Sequence, residues 1–394
     1  MRKTIMVVGA SYYQVPAIKV AKNMGLRVVA VDGDPRAPGL RYADRGACVD
    51  IIRPEECLAI AKEEKISGVL TIASNLAQLA ASFIARELHL VAPRLEQVRT
   101  LFDKSSFYML LERERSRTAP WGEASTLAEA NRLANSIGFP LILKPSDSAG
   151  SRGVRRLESL PDLRREFPVA LSFSLKKTVI LARFLKGKEL GLQAFLIRGK
   201  AALAVVTEKI MTAPPYYVEL GHLAPPDVRP EIYQQTISEA VAVAKGLGYL
   251  EGPLEADVIL SPEGPVILEM GLRLGGSCLP QLVRAYTGVD ITREVIKHAL
   301  GETVTLEGGV RGPCCARLLF AKKEGRVTDV QVPEEVLLDS QLTEMSVDVK
   351  KGDFVNPAVS SNYRIGHVIA RAPEAKLALK KAESLIEKIH LRIV

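Results

Sequence analysis

The sequence is poor in the patterns of zinc-binding and disulfide-rich proteins. It contains five cysteines in 394 residues, and none of them stands in a C-x-x-C spacing. Their number is odd, and the adjacent residues Cys314 and Cys315 are poorly placed to bridge each other. We therefore expect a protein of a reducing, cytoplasmic compartment that has no structural zinc site.

Long hydrophobic runs are missing as well. The apolar stretch at residues 4–8 ends at Gly9 and is followed by the polar residues 11–14. This pattern indicates a strand and a loop rather than a signal peptide. No stretch approaches the ~20 apolar residues needed to cross a bilayer, so we expect no membrane partner.

Aromatic residues are few and the net charge is modest. They make up 5% of the chain, with a single Trp, and the formal net charge is +8. Nucleic-acid-binding surfaces combine basic stripes with aromatic residues, whereas the basic residues here are dispersed, so we expect no nucleic-acid partner. We interpret the positive excess as solvated surface that also attracts an anionic small molecule such as a nucleotide.

Strands and amphipathic helices alternate through residues 1–97, which favours a parallel sheet covered on both faces. Strands are predicted at residues 4–8, 27–31, 68–72 and 90–92. Gly9 after the first strand and Asp32 after the second resemble a dinucleotide site, but residues 9–14 lack the further glycines that pyrophosphate binding needs. A structural α/β unit is therefore favoured over an NAD site.

The most informative stretch is residues 252–276, which predicts two strands joined by a turn at residues 261–264. Alternation places Glu255 and Asp257 on one face of the first strand, and the fold-back brings Glu269 beside Asp257. Carboxylates inside an apolar strand are costly unless they are paired or bind a metal. With Arg273 just beyond, they indicate a Mg²⁺ site that holds a polyphosphate.

Two lysines and a loop of small residues precede this hairpin. Lys104 opens a predicted helix, Lys144 ends an apolar strand, and the loop at residues 145–153 reads PSDSAGSRG. Such a loop can present backbone N–H groups to phosphates, although a flexible hairpin loop is the alternative. The ordered set of lysines, loop, acids and arginine suits phosphoryl transfer from MgATP to a carboxylate better than scattered surface charge does.

These residues, together with the C-terminal segments DVKKGD (348–353) and RIGHVIA (364–370), resemble the ATP-grasp superfamily. Within it they are similar to the carboxylate–amine ligases that include L-amino acid (dipeptide) ligases. The resemblance covers nearly the whole chain and implies an α/β fold class. We expect a Rossmann-like (pre-ATP-grasp) unit at residues 1–97, a two-part α+β ATP-grasp core at 98–307 with a lid at about 116–182, and a small C-terminal α+β domain at 308–394.

The resemblance also implies a role for each matching residue. Asp257 and Glu269 match the metal-binding pair, and Arg273 matches the arginine that stabilises the acyl phosphate. Lys104 and Lys144 match the two ATP-phosphate lysines, and Lys144 is also a catalytic candidate. The other ATP-binding matches are the phosphate loop (Ser148, Gly150, Ser151 and Gly153), the adenine-binding hinge (residues 182–185, with Arg183, Phe184 and Leu185) and the ribose-binding Glu189.

The chain departs from the family pattern at three positions. Ala182 stands where a hinge glutamate is usual, so adenine recognition would depend on the backbone alone. Gly271 replaces the usual asparagine metal ligand, so that ligand must come from elsewhere, such as water or Glu255. Asp257 stands where glutamate is commoner.

The sequence indicates the substrate-binding residues less clearly than the ATP-binding and metal-binding residues. Residues 210–229 are rich in Pro and Tyr and predict a long irregular loop, a kind of segment that usually carries function. Four residues on or beside it are candidate amino-acid contacts: Glu208, Lys209, Glu219 and His222. A lone histidine is as often structural. Glu255 is a candidate helper, and Gly275 and Gly276 would let the backbone approach the acceptor, a plain bend being the alternative.

We therefore expect an ATP- and Mg²⁺-dependent ligase, with Mn²⁺ as an alternative metal, acting on small carboxylate and amine substrates. ATP would phosphorylate a carboxylate, and an amine would attack the acyl phosphate to give an amide, ADP and phosphate. Two other functions stay open: an ATP-grasp enzyme that uses formate or bicarbonate in purine or carboxylation chemistry, and a nucleotide-binding regulatory protein without catalysis. A homodimer is expected.

Overall fold

A parallel four-stranded sheet forms the N-terminal part of the computed structural model, which describes residues 2–148, 152–213 and 217–394. Its strand order is β3-β2-β1-β4, and the predicted parallel sheet is confirmed. All five residues of β1 are buried, as expected for a strand covered on both faces. The elements are β1 (Thr4–Val8), α1 (Val15–Asn23), β2 (Arg27–Asp32), α2 (Gly39–Tyr42), β3 (Arg45–Cys48), α3 (Pro54–Glu63), β4 (Gly68–Leu70) and α4 (Asn75–Leu88).

The strand predicted at residues 90–92 is wrong. These residues form bends that lead from α4 into a helix the sequence reading did not predict, α5 (Leu95–Phe102). His89 ends α4 in the left-handed conformation, with φ of 54°. The chain therefore turns here instead of adding a strand to the sheet.

A second unit covers the predicted lid. Its antiparallel sheet has the order β5-β8-β6-β7 and packs on two helices through a separate apolar core. Helix α6 leads into this unit and carries Lys104 as its first residue. The elements are α6 (Lys104–Arg113), β5 (Trp121–Ala124), α7 (Leu127–Ile137), β6 (Leu141–Pro145), β7 (Arg155–Leu157), α8 (Leu160–Ser172) and β8 (Val179–Arg183).

The central sheet has eight strands in the order β13-β12-β9-β10-β11-β14-β18-β16, and all its pairings are antiparallel. It contains the predicted hairpin, with Ser261 opposite Gly264 at the turn. One face packs on α9 through a core that includes Leu190, Leu192 and Ala256. The elements up to residue 299 are β9 (Lys188–Ile197), β10 (Lys200–Met211), β11 (Glu219–Ala224), α9 (Pro230–Gly246), β12 (Gly252–Ser261), β13 (Gly264–Gly271), α10 (Leu279–Thr287) and α11 (Ile291–Ala299).

The C-terminal part continues this same sheet through β14, β18 and β16, and adds a small sheet of order β17-β15-β19. Helix α13 packs against β14 and β18, with Ala378, Ala382 and Leu385 in the shared core. The elements are β14 (Cys314–Leu319), β15 (Gly325–Gln331), α12 (Glu334–Leu337), β16 (Leu342–Val347), β17 (Phe354–Val355), β18 (Gly366–Arg371), α13 (Ala375–Glu387) and β19 (His390–Ile393).

The N-terminal unit meets the central sheet just after the hairpin. Ile72 and Leu274 form a parallel β-bridge, and the amide of Ala73 donates to the carbonyl of Leu274 at 2.9 Å. This contact holds the start of α4 against the end of β13. Among the described residues, every helix is too short or too polar to cross a membrane.

Candidate active site

One face of the central sheet carries a row of polar side chains across five adjacent strands. Because successive residues of a strand point to opposite faces, these side chains lie opposite the leucine-rich face that packs on α9. The row runs from Glu269 on β13 through Glu255 and Asp257 on β12, Glu189 and Gln193 on β9, and Thr207 and Lys209 on β10, to Glu219 and His222 on β11. The sheet thus gathers residues from 189 to 269 onto one surface.

The acids of the hairpin lie as the sequence pattern predicts. Asp257 and Glu269 are register partners on β12 and β13, two residues along from Glu255 and Gly271. Arg273 donates from Nη1 to Glu255 Oε2 at 3.0 Å, and its side chain is 8% exposed. Burial raises the pKa of Glu255 to about 8, and the neighbouring Asp257 and Glu269 add to the increase while Arg273 opposes it.

Asn75, the first residue of α4, connects Glu269 and Arg273, and no pattern in the sequence identifies it. Its Nδ2 donates to Glu269 Oε1 at 2.7 Å, and its Oδ1 accepts a hydrogen bond from Arg273 Nε at 3.0 Å. The only sequence signal was Ser74, an ordinary N-cap that accepts from the amide of Ala77. A capping serine does not indicate that Asn75 contacts Glu269 and Arg273, which lie nearly 200 residues further along the chain.

Lys209 is the centre of a buried polar cluster beside the carboxylate pair. Its Nζ lies 2.8 Å from Asp257 Oδ1 and 2.7 Å from Glu219 Oε2. Although burial opposes its charge, these two carboxylates hold the pKa of Lys209 well above its usual range. Lys209 and His222 likewise hold the pKa of Glu219 far below its usual range, against the effect of burial.

The predicted residue His222 belongs to this cluster. Its Nε2 lies 3.0 Å from Glu219 Oε1 and its Nδ1 lies 2.9 Å from Thr207 Oγ1. Glu208 does not join it, because alternation along β10 points Glu208 to the opposite face, where it pairs with Lys188 at 2.9 Å. Of these two neighbouring candidates, only Lys209 lies on the polar face.

The irregular loop expected at residues 210–229 is interrupted by a regular strand. β11 pairs with β10 on one side and β14 on the other, so the prediction of an irregular segment is wrong for Glu219–Ala224. Residues 214–216 lie outside the described residues. The strand, rather than a loop, holds Glu219 and His222 in place.

The two predicted phosphate lysines lie near each other at the edge of the lid. Lys104 Nζ donates to the carbonyl of Ser148 at 2.5 Å, and Lys144 Nζ lies 3.2 Å from the Tyr108 hydroxyl. Burial lowers the pKa of Lys104, and the nearby positive charge of Lys144 adds to this effect while Glu269 opposes it. Lys104 therefore lies close enough to Glu269, one of the hairpin acids, for their charges to interact.

The predicted phosphate loop is described only at its ends. Ser148 accepts from Lys104, and Gly153 has φ of +72°, where a Cβ atom would lie 2.9 Å from Pro145 Cγ and from Phe173 Cδ2. A glycine is therefore required at 153. The predicted residues Gly150 and Ser151 lie outside the described residues.

The predicted adenine hinge lies where β8 ends. The amides of Arg183 and Phe184 donate to the carbonyls of Pro120, at 2.8 Å, and Pro140, at 3.0 Å. Those two amides are thus engaged within the protein. Glu189, the predicted ribose contact, lies on the polar face, and burial raises its pKa.

Gln193 holds the glycine pair next to Arg273. The amide of Gly275 donates to Gln193 Oε1 at 2.7 Å, and Gln193 is fully buried on the polar face. Gly275 and Gly276 line a small pocket, about 10 Å³ in volume, with Tyr13 and Arg364. The glycines therefore border a cavity at the sheet end that carries Arg273.

The donor set at the hairpin fits a magnesium ion. Asp257 and Glu269 each engage one oxygen with a neighbouring side chain, Lys209 and Asn75 respectively, and each has a second carboxylate oxygen. Among the described residues, no group of three or more His, Cys, Asp or Glu residues is arranged to hold a metal. Two carboxylates suffice for Mg²⁺, which keeps several waters and takes its other ligands from phosphates.

Family comparisons agree with this geometry. Residues 103–307 match the model of the carbamoyl-phosphate synthase L chain ATP-binding domain, and residues 317–394 match L-amino acid ligase C-terminal domain 2. The chain belongs to the ATP-grasp ligases. Members of this family are ADP-forming ligases, so the predicted family, fold class and enzyme class are confirmed.

Individual relatives of this ATP-grasp ligase are distant. The formate-dependent phosphoribosylglycinamide formyltransferase of Sulfurisphaera tokodaii is 24% identical over 93% of this chain and 92% of its own length. Among solved structures, L-amino acid ligase from Bacillus licheniformis has a TM-score of 0.84 at 17% identity, covering 100% of this chain and 99% of that one.

A third similar structure was solved with ligands. It is the biotin carboxylase domain of 2-oxoglutarate carboxylase from Hydrogenobacter thermophilus, in complex with MgADP, ADP and bicarbonate. Its TM-score is 0.81 at 20% identity, over 100% of this chain and 91% of that one. At these identities the structural similarity shows the fold alone.

Proposed function

We propose that this ATP-grasp ligase joins a carboxylate to an amine, at least one of them an amino acid, through an acyl phosphate. The observation that carries the proposal is the ion pair between Arg273 and Glu255, which lies two residues along β12 from the Asp257–Glu269 pair. The match of residues 317–394 to a domain of L-amino acid ligases supports an amino-acid substrate.

In the proposed reaction a substrate carboxylate oxygen attacks the γ-phosphorus of ATP, and ADP leaves. The amine then attacks the acyl carbon and loses a proton, and phosphate departs with the former carboxylate oxygen. Lys104, Lys144 and Arg273 would offset the negative charge that gathers on the transferring group. Asp257 and Glu269 would hold Mg²⁺, which would neutralise part of the negative charge of the phosphates.

Substrate recognition is proposed for the buried cluster around Lys209. The Glu219 side chain is 16% exposed, against 8% for Lys209 and 3% for His222. A carboxylate held ionised next to the metal pair suits the ammonium group of an amino acid. The glycine pair at residues 275–276 would let the backbone approach the second substrate.

The test is a screen of amino-acid pairs with ATP and Mg²⁺ for phosphate release. We expect release that depends on a carboxylate and an amine, and its loss by at least about 100-fold in Lys144→Ala, because charge neutralisation is the main contribution to such transfers. Lys200→Ala, at the exposed first residue of β10, is the matched control and should retain activity. An ADP-forming reaction unaffected by Lys144→Ala would show that the site is misplaced.

A second candidate uses a small one-carbon acid. The relative from Sulfurisphaera tokodaii is a formate-dependent enzyme, and it matches nearly the full length of this chain. In this case formate or bicarbonate should stimulate phosphate release without any amino acid. Tight ATP binding with no ADP formation under either condition would instead favour a regulatory protein.

Homodimerisation stays a prediction for this chain. The similar Hydrogenobacter thermophilus domain is described as a dimer. Sedimentation of the purified protein at several concentrations would measure the state directly. Mn²⁺ as a replacement for Mg²⁺ likewise stays a prediction, which the same phosphate-release assay addresses.

A further inference from the structure

We propose that Asn75 is a positioning residue that takes the place of the side chain absent at Gly271. It would fix Glu269 and Arg273 relative to each other from outside the central sheet. This inference rests on the proposed roles of Glu269 in metal binding and of Arg273 beside the acyl phosphate. It makes the N-terminal unit a contributor to the reaction centre.

The space beside Gly271 is filled by Asn75 and Arg273. A Cβ atom built on Gly271 would lie 3.0 Å from Asn75 Oδ1 and 3.0 Å from Arg273 Cζ. Contacts this short require a neighbour to move. An asparagine at 271 and an asparagine at 75 therefore compete for the same volume. Gly271 itself is not among the glycines with positive φ, so its backbone permits a side chain.

The orientation of the Asn75 amide follows from its two partners. The guanidinium of Arg273 can only donate, so it faces Oδ1, and a carboxylate oxygen of Glu269 accepts from Nδ2. Both ends of the amide are thus used in holding neighbours. This arrangement is that of a residue acting through Glu269 and Arg273, rather than of a direct metal ligand.

The backbone around Asn75 also has contacts that fix the position of this residue. It is the first residue of α4, and it is 7% exposed. Two residues earlier, the amide of Ala73 donates to the carbonyl of Leu274, next to Arg273. The same short contact between units therefore places Asn75 against the end of β13. The side-chain amide of Asn75 thus reaches the site from α4. It lies close to the position that a Cβ atom at residue 271 of β13 would occupy.

The proposal is tested by moving the asparagine from position 75 to position 271. Asn75→Ala should lower ATP-dependent phosphate release and weaken Mn²⁺ binding in the presence of ADP, each by about 10-fold or more, because partners of metal ligands have effects of this size. Gly271→Asn alone should also be impaired, because its side chain collides with Asn75. The double variant Asn75→Ala/Gly271→Asn should recover both properties to within about three-fold of the wild type, as coupled neighbours do.

Mn²⁺ binding is followed by electron paramagnetic resonance, which needs no turnover. Gln78→Ala is the matched control, since it removes another buried amide from α4 whose Oε1 has no hydrogen-bond partner among the described residues. It should leave both readouts unchanged. Thermal midpoints of all variants show whether any loss reflects unfolding.

Two results would overturn the proposal. Wild-type Mn²⁺ binding in Asn75→Ala would show that the amide does not position Glu269. A double variant no better than the worse single variant would show that the two positions do not exchange a role. Failure of the wild-type protein to bind Mn²⁺ with ADP would instead remove the metal site and the proposed function with it.

Discussion

The charge of Lys104 is a sensitive feature of the proposed phosphate site. Burial lowers its pKa, so the ammonium loses its proton at a lower pH than an ordinary lysine does. Because only the charged form attracts phosphates, ATP affinity should fall as the pH is raised from neutral toward that lowered pKa. The dissociation constant of ATP, measured by calorimetry between neutral pH and pH ~10, checks this expectation.

Lys104→Arg is the matched control for that titration. Arginine keeps its charge throughout this range, so the variant should show a flatter alkaline limb. The same decline in both proteins would assign the pH dependence to another group. The comparison isolates one ammonium group within a site that holds several charges.

At the scale of single residues, strand alternation predicted part of the site and missed the rest. It placed Glu255 and Asp257 on one face, which the structure shows, because a period of two needs only local sequence. The same alternation places Glu208 and Lys209 on opposite faces of β10, but the local sequence does not show which of these faces is the polar one. Asn75 was beyond reach, because its position depends on a contact between α4 and β13 that no local pattern encodes.

At the scale of elements, the start of α6 determines where Lys104 lies. Asp103 caps this helix by accepting from the amide of Ser106 at 2.9 Å, and it also pairs with Lys176. Asp103→Ala should lower the free energy of unfolding by about 1 kcal/mol and weaken ATP binding, because the frayed turn carries Lys104. Chemical denaturation and ATP titration measure the two effects.

Asp290→Ala separates capping from binding. Asp290 caps α11 through the amide of Arg293 at 3.1 Å, so its loss should cost a similar free energy without changing ATP affinity. Asp103→Asn keeps a capping side chain and should restore most of the stability. Unaltered ATP affinity in Asp103→Ala would contradict the link between the cap and the phosphate site.

The elements that the sequence predicted best are those with strong local signals. The hairpin around residues 261–264 is predicted from its turn residues and from the alternation of its strands. β11 was missed because its strand character depends on pairing with β14, about 90 residues further along the chain. The strand predicted at residues 90–92 failed for the converse reason, since a short apolar run without a partner does not make a strand.

At the scale of the whole molecule, Arg364 connects three parts of the chain. Its guanidinium lies 3.1 Å from Asp348 Oδ2 and 3.5 Å from Cys278 Sγ, donates to the carbonyl of Tyr12, and lies over the Tyr13 ring. Arg364→Ala should lower the free energy of unfolding by about 3 kcal/mol, because it leaves the largely buried Asp348 without its partner. Denaturant unfolding measures this loss.

An exposed ion pair provides the comparison. Lys376 and Asp227 are 79% and 74% exposed and lie 3.9 Å apart. Lys376→Ala should change the free energy of unfolding by less than about 0.5 kcal/mol. Equal effects of the two variants would show that Arg364 does not hold the three parts together.

The overall architecture was predicted more completely than the site, because it follows from the order of strands and helices. The N-terminal parallel sheet appears as expected, and the α/β fold class implied by the resemblance is confirmed. The continuation of the central sheet through β14, β18 and β16 was not predicted, since strand neighbours that are distant in sequence leave no periodic signal. That continuity fixes β11, and with it Glu219 and His222, between the core and the C-terminal strands.

The central claim is that the substrate carboxylate is activated as an acyl phosphate. It is tested most directly with a pair that releases phosphate, in which the carboxylate partner carries ¹⁸O at both carboxylate oxygens. Phosphate recovered from the reaction and analysed by mass spectrometry should contain one ¹⁸O atom for each amide formed, because the carboxylate oxygen that attacks ATP leaves with the phosphate. Amide formation with phosphate that carries no ¹⁸O would contradict the account.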